Sequence, residues 1–86
     1  GAASDGPSLR APIQATVVRV VCEVGQVVAA GDLVLVLESM KMEKPIAAHE
    51  AGRIADIRVA AGDTVKAGDL LVSIEPLEPT QKGEAR

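Results

Sequence analysis

The chain has no Phe, Tyr or Trp, one cysteine, and no excess of positive charge. Without aromatic rings it lacks the side chains that stack on bases, and a formal net charge of -3 leaves no basic surface for phosphates. Nucleic acid is therefore not an expected partner. Cys22 has no second cysteine to pair with and sits in an apolar run, so it reads as a small buried hydrophobe in a reducing, cytoplasmic setting. Neither Cys22 nor the lone His49 has neighbours at metal-ligand spacing, so no metal is expected. Long apolar runs are missing too. The longest stretches resemble 33–37, whereas a membrane span needs about 20 residues, and no membrane partner is expected. Residues 1–8 show neither an initiator Met nor a basic-then-apolar signal pattern, and read as a linker or expression remnant.

What is present fits one small domain of 86 residues with a core of Val, Leu, Ile, Ala and Met. Valine favours strands, and Gly or Pro interrupts every window that could sustain a helix. The dominant organising feature is an internal repeat. Residues Ala11 to Glu38 align with Ala48 to Glu75 at a constant offset of 37 and without a gap. The clearest match sets Gly25, Val28, Gly31, Asp32 and Leu33 against Gly62, Val65, Gly68, Asp69 and Leu70. Each copy reads strand, Gly turn, short apolar step, Ala-Gly-Asp turn, strand, with Gly supplying positive φ and Asp capping the turn.

Alternation predicts the inward face. Arg19 and Glu23 mark the outside of the first strand, leaving Val18, Val20, Cys22 and Val24 inward; their offset partners are Ala55, Ile57, Val59 and Ala61. In the later strand, Leu33, Leu35 and Leu37 pair with Leu70, Val72 and Ile74 as the inward set. Neither half alone can bury one face of its strands, so the two must pack around a common core. The predicted fold is all-β, a flattened barrel or sandwich with pseudo-twofold symmetry, over residues 9–76. Residues 77–86, mostly polar and charged and broken by Pro79 and Gly83, read as a flexible tail.

The repeat does not account for the junction Ser39-Met40-Lys41-Met42-Glu43-Lys44-Pro45, where the chain must reverse near the expected symmetry axis. A lysine at a hairpin tip is firmly held yet exposed, which suits a group modified by one protein and delivered to others. Two Met residues bracketing it are poor choices for a solvated turn and suit a surface that meets several partners.

Glu38-Ser39-Met40-Lys41-Met42-Glu43 resembles the attachment motif of biotin carboxyl carrier domains. From roughly Leu9 to Pro76 the chain is similar to the biotinyl/lipoyl attachment domain family, including Ala11-Pro12, both Gly-Asp turns and the lysine midway between the copies. The resemblance implies two four-stranded antiparallel sheets with Lys41 at an exposed hairpin tip, covalently biotinylated by a biotin protein ligase. It implies that Met40, Met42, Glu38, Ser39 and Glu43 form the surface recognised by ligase and partners, while Gly25, Gly31, Asp32, Gly62, Gly68 and Asp69 shape the turns. Lys44 and Lys66 are expected to stay unmodified. No catalytic residue is implied. The domain would be a non-catalytic carrier moving a carboxyl group from biotin carboxylase to carboxyltransferase, in a parent complex with ligase-type activity.

Two features depart from the family pattern. Pro12-Ile13-Gln14-Ala15 stands where relatives often read Pro-Met-Pro-Gly, and the gap-free repeat leaves no room for the protruding thumb loop of some bacterial carriers. Ala15 aligns with Gly52, which suggests a position where Gly is easily accommodated and Ala must accept a stricter backbone. A lipoyl carrier domain is the alternative reading, disfavoured by the Met pair. An unmodified structural spacer of the same fold is the third.

Overall fold

The computed structural model describes residues 7–77, and every regular element among them is a strand. In chain order these are β1 (Leu9–Arg10), β2 (Ala15–Val20), β3 (Val27–Val28), β4 (Leu33–Ser39), β5 (Met42–Ala47), β6 (Gly52–Ile57), β7 (Thr64–Val65) and β8 (Leu70–Pro76). They form two four-stranded antiparallel sheets, ordered β1-β8-β6-β3 and β5-β4-β2-β7. The offset of 37 maps β2, β3 and β4 onto β6, β7 and β8 residue for residue, and β1 onto the last two residues of β5. One sheet is the repeat image of the other. The connections at 21–26 and 58–63 are of equal length, and no thumb loop protrudes.

The copies are interleaved rather than stacked. β2 of the first copy pairs with β7 of the second, and β3 pairs with β6. The turns cross in the same way. Gly25 N–H donates to the Ile54 carbonyl and Gly62 N–H to that of Val17, both at 2.8 Å. Gly31 N–H donates to Ala48 and Gly68 N–H to Ala11, again at 2.8 Å. Each copy therefore closes the backbone hydrogen bonds of the other, and neither half is complete alone.

Local turn chemistry repeats as well. Ala29 N–H donates to Asp32 Oδ2 at 2.9 Å, and Lys66 N–H to Asp69 Oδ2 at 2.8 Å. Gly31 and Gly68 lie at φ 95° and 93°, a region that penalises any side chain bearing a Cβ. At the preceding turn Asp63 Oδ2 accepts from Ala60 N–H at 2.9 Å, and in the first copy Gln26 Oε1 takes that place, accepting from Glu23 N–H at 3.0 Å.

The core is aliphatic and continuous, with Val17, Val28, Val34, Leu35, Leu37, Ile54, Leu71 and Val72 essentially inaccessible. Each such side chain contributes about 1.5–3 kcal/mol relative to exposure. Strict alternation misplaces part of this set. The β2–β4 pairing slips between Val17 and Arg19, and β6–β8 slips at the equivalent place between Ile54 and Asp56. A bulge adds one residue and resets the parity. Val17 and Ile54 thus enter the core ahead of it, and Val20, Cys22, Ile57 and Val59 pack against it afterwards. Val18 and Ala55 are half-buried outside the cluster, while Val24, 62% exposed, and Ala61 lie in solvent. A second slip between Leu33 and Leu35 puts Val34 in the core and leaves Leu33 41% exposed. Its image makes Leu71 a core residue in place of Leu70.

At positions 15 and 52 the constraint is one of close approach rather than of backbone angle, since neither residue has a positive φ. A Cβ on Gly52 would stand 2.5 Å from Ile74 Cγ2 and 2.6 Å from the Glu75 carbonyl oxygen, so Gly is required there by close approach of β8. Ala15 is buried beside β7 without needing that closeness.

Pro7 is buried, and Ser8 Oγ accepts from Ile74 N–H at 2.9 Å and donates to the Ile74 carbonyl at 3.2 Å. Packing thus starts before Leu9, where the sequence reading draws the domain's start. The remainder of the expected N-terminal linker, 1–6, and of the tail, 78–86, lies outside the described residues. No helix among the described residues is long and apolar enough to cross a membrane, and none of their His, Cys, Asp and Glu side chains cluster in a group able to hold a metal.

Burial pushes the Cys22 thiol above its ordinary range, against a smaller lowering from a backbone hydrogen bond. The thiolate is the reactive form. Cys22 is therefore expected to react with a disulfide reagent at pH 8 at least about tenfold more slowly in the native domain than in urea. Equal rates would show that the connection carrying it, between β2 and β3, opens freely.

Candidate functional site at the lysine hairpin

Strands β4 and β5 remain paired as far as Ser39 and Met42, so Met40 and Lys41 alone make the turn. Their φ values are 53° and 66°. Positive φ at both positions defines the type I′ hairpin turn, whose twist matches the flanking strands and which normally selects Asn-Gly. Met and Lys are poor occupants of this region, at roughly 1 kcal/mol or more each. Strain of this kind persists only where the surrounding structure enforces it, and it concentrates at functional sites. Enforcement comes from β4, an interior strand flanked by β5 and β2 and anchored by Val34, Leu35 and Leu37.

Lys41 is exposed, and its ammonium has no ion-pair partner among the described residues. Met40 is 90% exposed and Met42 72%, two large apolar side chains presented on either side of the lysine. Neither folds back onto the core. Below the tip Glu38 and Glu43 stand directly opposite each other, both exposed. Like charges in that register disfavour the pairing. The hairpin thus carries three local choices that stability would not make.

The tip does not lie on the pseudo-twofold axis. The offset carries β4 and β5 onto β8 and β1, which no turn joins, so the tip has no counterpart hairpin in the other sheet. Lys44 pairs with Leu37 along β5, and Lys66 sits in the second Ala-Gly-Asp turn; neither is at a tip. Beside the hairpin runs an open groove of about 300 Å³ lined by Ile13, Ser39, Met40, Met42, Glu43 and Lys44. Ile13 arrives from the segment between β1 and β2, remote in sequence. It is 41% exposed, and its repeat counterpart is Glu50. Sequence reasoning noted Ile13 only as a departure from a motif; an apolar residue exposed where the other copy carries a charge was the available signal.

Residues 6–74 match the family model described as biotin-requiring enzyme, the biotin/lipoyl attachment domains. The chain belongs to this family. Among the attachment domain's curated relatives, the biotin-dependent acyl-coenzyme A carboxylase alpha3 subunit of Mycobacterium leprae is 48% identical over 87% of this chain. The matching stretch is only 12% of that protein's length. The biotinylated protein TB7.3 homolog of the same organism is 44% identical over 77% of this chain, and there the match spans 93% of the relative. In three dimensions the attachment domain is similar to the lipoyl domain of the 2-oxoglutarate dehydrogenase complex from Azotobacter vinelandii. The TM-score is 0.70 at 28% identity, covering 80% of this chain and 95% of that one. Shape alone does not separate biotin from lipoate; the residues at the tip must.

Proposed function

We propose that the attachment domain is a biotin carboxyl carrier domain holding biotin in amide linkage on Lys41. The single observation that carries this is the lysine itself, exposed in a strained two-residue turn between two exposed methionines. The site fits the group: an unpaired primary amine stands clear of the body of the domain, with open space around it. Once attached, biotin supplies a ring nitrogen that accepts a carboxyl group and gives it up again. The chain's own residues present, orient and deliver that group, and the domain is non-catalytic.

Attachment is an acyl transfer. Lys41 Nζ attacks the carbonyl carbon of a biotinyl adenylate, the amide C–N bond forms, the acyl–phosphate C–O bond breaks, AMP leaves and the amine gives up a proton. The Glu38 and Glu43 carboxylates below the tip are far weaker bases than an amine, so the biotin protein ligase is the acceptor of that proton. Met40, Met42, Ser39, Glu38 and Glu43 form the face the ligase reads, with the Met pair giving an adaptable apolar contact and the carboxylates a matching ground for basic residues. The biotin carboxylase and carboxyltransferase of the parent complex meet the same tip. Tethering turns delivery between them into an intramolecular event at an effective concentration on the order of mM. A reducing compartment such as the cytoplasm suits the buried free thiol of Cys22.

The test is intact mass after incubation with a biotin ligase, biotin and ATP, beside a parallel reaction with a lipoyl ligase and lipoate. One biotin per chain is the expected product. A lipoyl adduct alone would transfer the carrier role to lipoate, and no adduct from either ligase would leave a structural spacer. The strain at the tip gives a second check. Replacing Met40 by Gly removes one unfavourable left-handed residue and is expected to raise stability by about 0.5–1 kcal/mol in urea titration while slowing biotinylation. A variant both less stable and equally well modified would argue that Met40 serves the fold.

A further inference from the structure

The groove beside the hairpin shares Ser39, Met40, Met42 and Glu43 with the face read by the ligase, but its Ile13 wall has no role in attachment as described, and the repeat shows that the fold does not demand that apolar wall. Position 13 is Ile where the other copy has Glu50, at an equivalent place in the same chain path. Ile13 is nonetheless exposed, and it faces a groove whose remaining apolar surface comes from Met40 and Met42, the two neighbours of Lys41. We infer that this groove is a resting site for the biotinyl group borne by Lys41 of the same domain, an inference that rests on the assignment of Lys41 above.

Three features carry it. The volume, about 300 Å³, is at the small end of ligand sites, matching one bicyclic ring rather than a protein segment. The wall is mixed in the required way: Ile13 and the two thioethers suit the sulfur-containing ring and its aliphatic chain. Ser39 and Glu43 offer acceptors to the ureido N–H groups, and Lys44 offers a donor to the ureido carbonyl. Tethering then removes the need for tight binding. A ligand attached one residue from the wall experiences an effective concentration on the order of mM, so an intrinsic affinity of only about 1 mM parks the arm half of the time. The occupant is the arm rather than a second protein because Lys41 emerges between two of the wall's own residues.

Parking has a functional consequence. A partner enzyme that seats itself on Met40 and Met42 must displace the ring, so docking and release of the arm become one linked equilibrium. The arm stays covered in transit and is freed where it is needed.

The experiment compares the apo and biotinylated 86-residue domain by isotope-edited NMR, together with the rate of Met42 oxidation by dilute peroxide read by peptide mass. Expected in the biotinylated domain are shift changes at Ile13, Ser39, Glu43 and Lys44, cross-relaxation between ring protons and the Ile13 methyls, and roughly twofold slower oxidation of Met42. Ile13→Glu, which borrows the residue of the other copy, should be biotinylated as well as the parent yet lose the cross-peaks and the protection. Shift changes confined to Met40, Lys41 and Met42, with unaltered oxidation, would overturn the resting site and leave the carrier reading standing. Failure to form any adduct would overturn both.

Discussion

Lys41→Arg is expected to reduce biotin incorporation from one group per chain to none, with the fold intact. Arginine keeps the charge and the approximate length, but its guanidinium is not deprotonated in proteins and offers no nucleophile for acyl transfer. Neither of the other two lysines among the described residues stands in such a turn. Lys44 lies within β5 opposite Leu37, and Lys66 donates its backbone N–H to Asp69 in a turn of different geometry. Because position 41 is exposed and outside the core, the change in stability should remain within about 0.5 kcal/mol. Intact mass after ligase treatment, with a urea titration alongside, measures both. Undiminished labelling of the Arg variant would move the attachment site elsewhere and dismiss the hairpin as its location.

Gly52→Ala is expected to cost about 1–3 kcal/mol, the range for forcing extra volume into a packed site. For a chain of this size that is a large share of a total of roughly 4–13 kcal/mol. The added methyl would meet Ile74 Cγ2 and the Glu75 carbonyl oxygen, and the latter belongs to the β6–β8 ladder that holds one sheet together. Ile74 can adjust a rotamer, whereas the carbonyl can move only by lengthening ladder hydrogen bonds. The reciprocal change, Ala15→Gly, should cost no more than about 1 kcal/mol through lost strand propensity. Urea midpoints of the two variants should therefore differ clearly in the direction Gly52→Ala below Ala15→Gly. Equal midpoints would show that β8 yields at Glu75 and that the close approach is not a constraint.

These two positions illustrate what a repeat can and cannot disclose. Alignment at an offset of 37 correctly paired residues 15 and 52, but it could not say which one stood against a neighbouring backbone, because that distance is set by β8 crossing from the far end of the chain. The same limit explains the misplaced core residues. Val17, Val34, Ile54 and Leu71 lie next to bulges, and a bulge has no signature in an alternation count because it arises from how two strands accommodate each other's twist. Apolar residues on both parities, such as Val17 beside Val18, were the visible trace of it.

At the site, Lys41 and its flanking residues were legible as a motif, since a short segment between two copies has to reverse direction and its composition departs from a solvated turn. The positive φ at Met40 and Lys41 was not legible, because both residue types avoid that region on their own; pairing of Ser39 with Met42 forces it. The groove was hidden for a different reason. Ile13 and Met42 come together only when the segment before β2 is laid beside the hairpin.

By itself the sequence determined the all-β class, the turn chemistry at Gly31-Asp32 and Gly68-Asp69, the twofold character and the lysine in the reversing segment, because each is written in local residue patterns or in their repetition at a fixed offset. Only the tertiary structure decided the crossing of turns between copies, the resets of strand parity, the intolerance at Gly52 and the wall contributed by Ile13. These depend on which distant backbone arrives, and at what distance, and hydrogen-bond closure and close packing settle that only once both halves are in place.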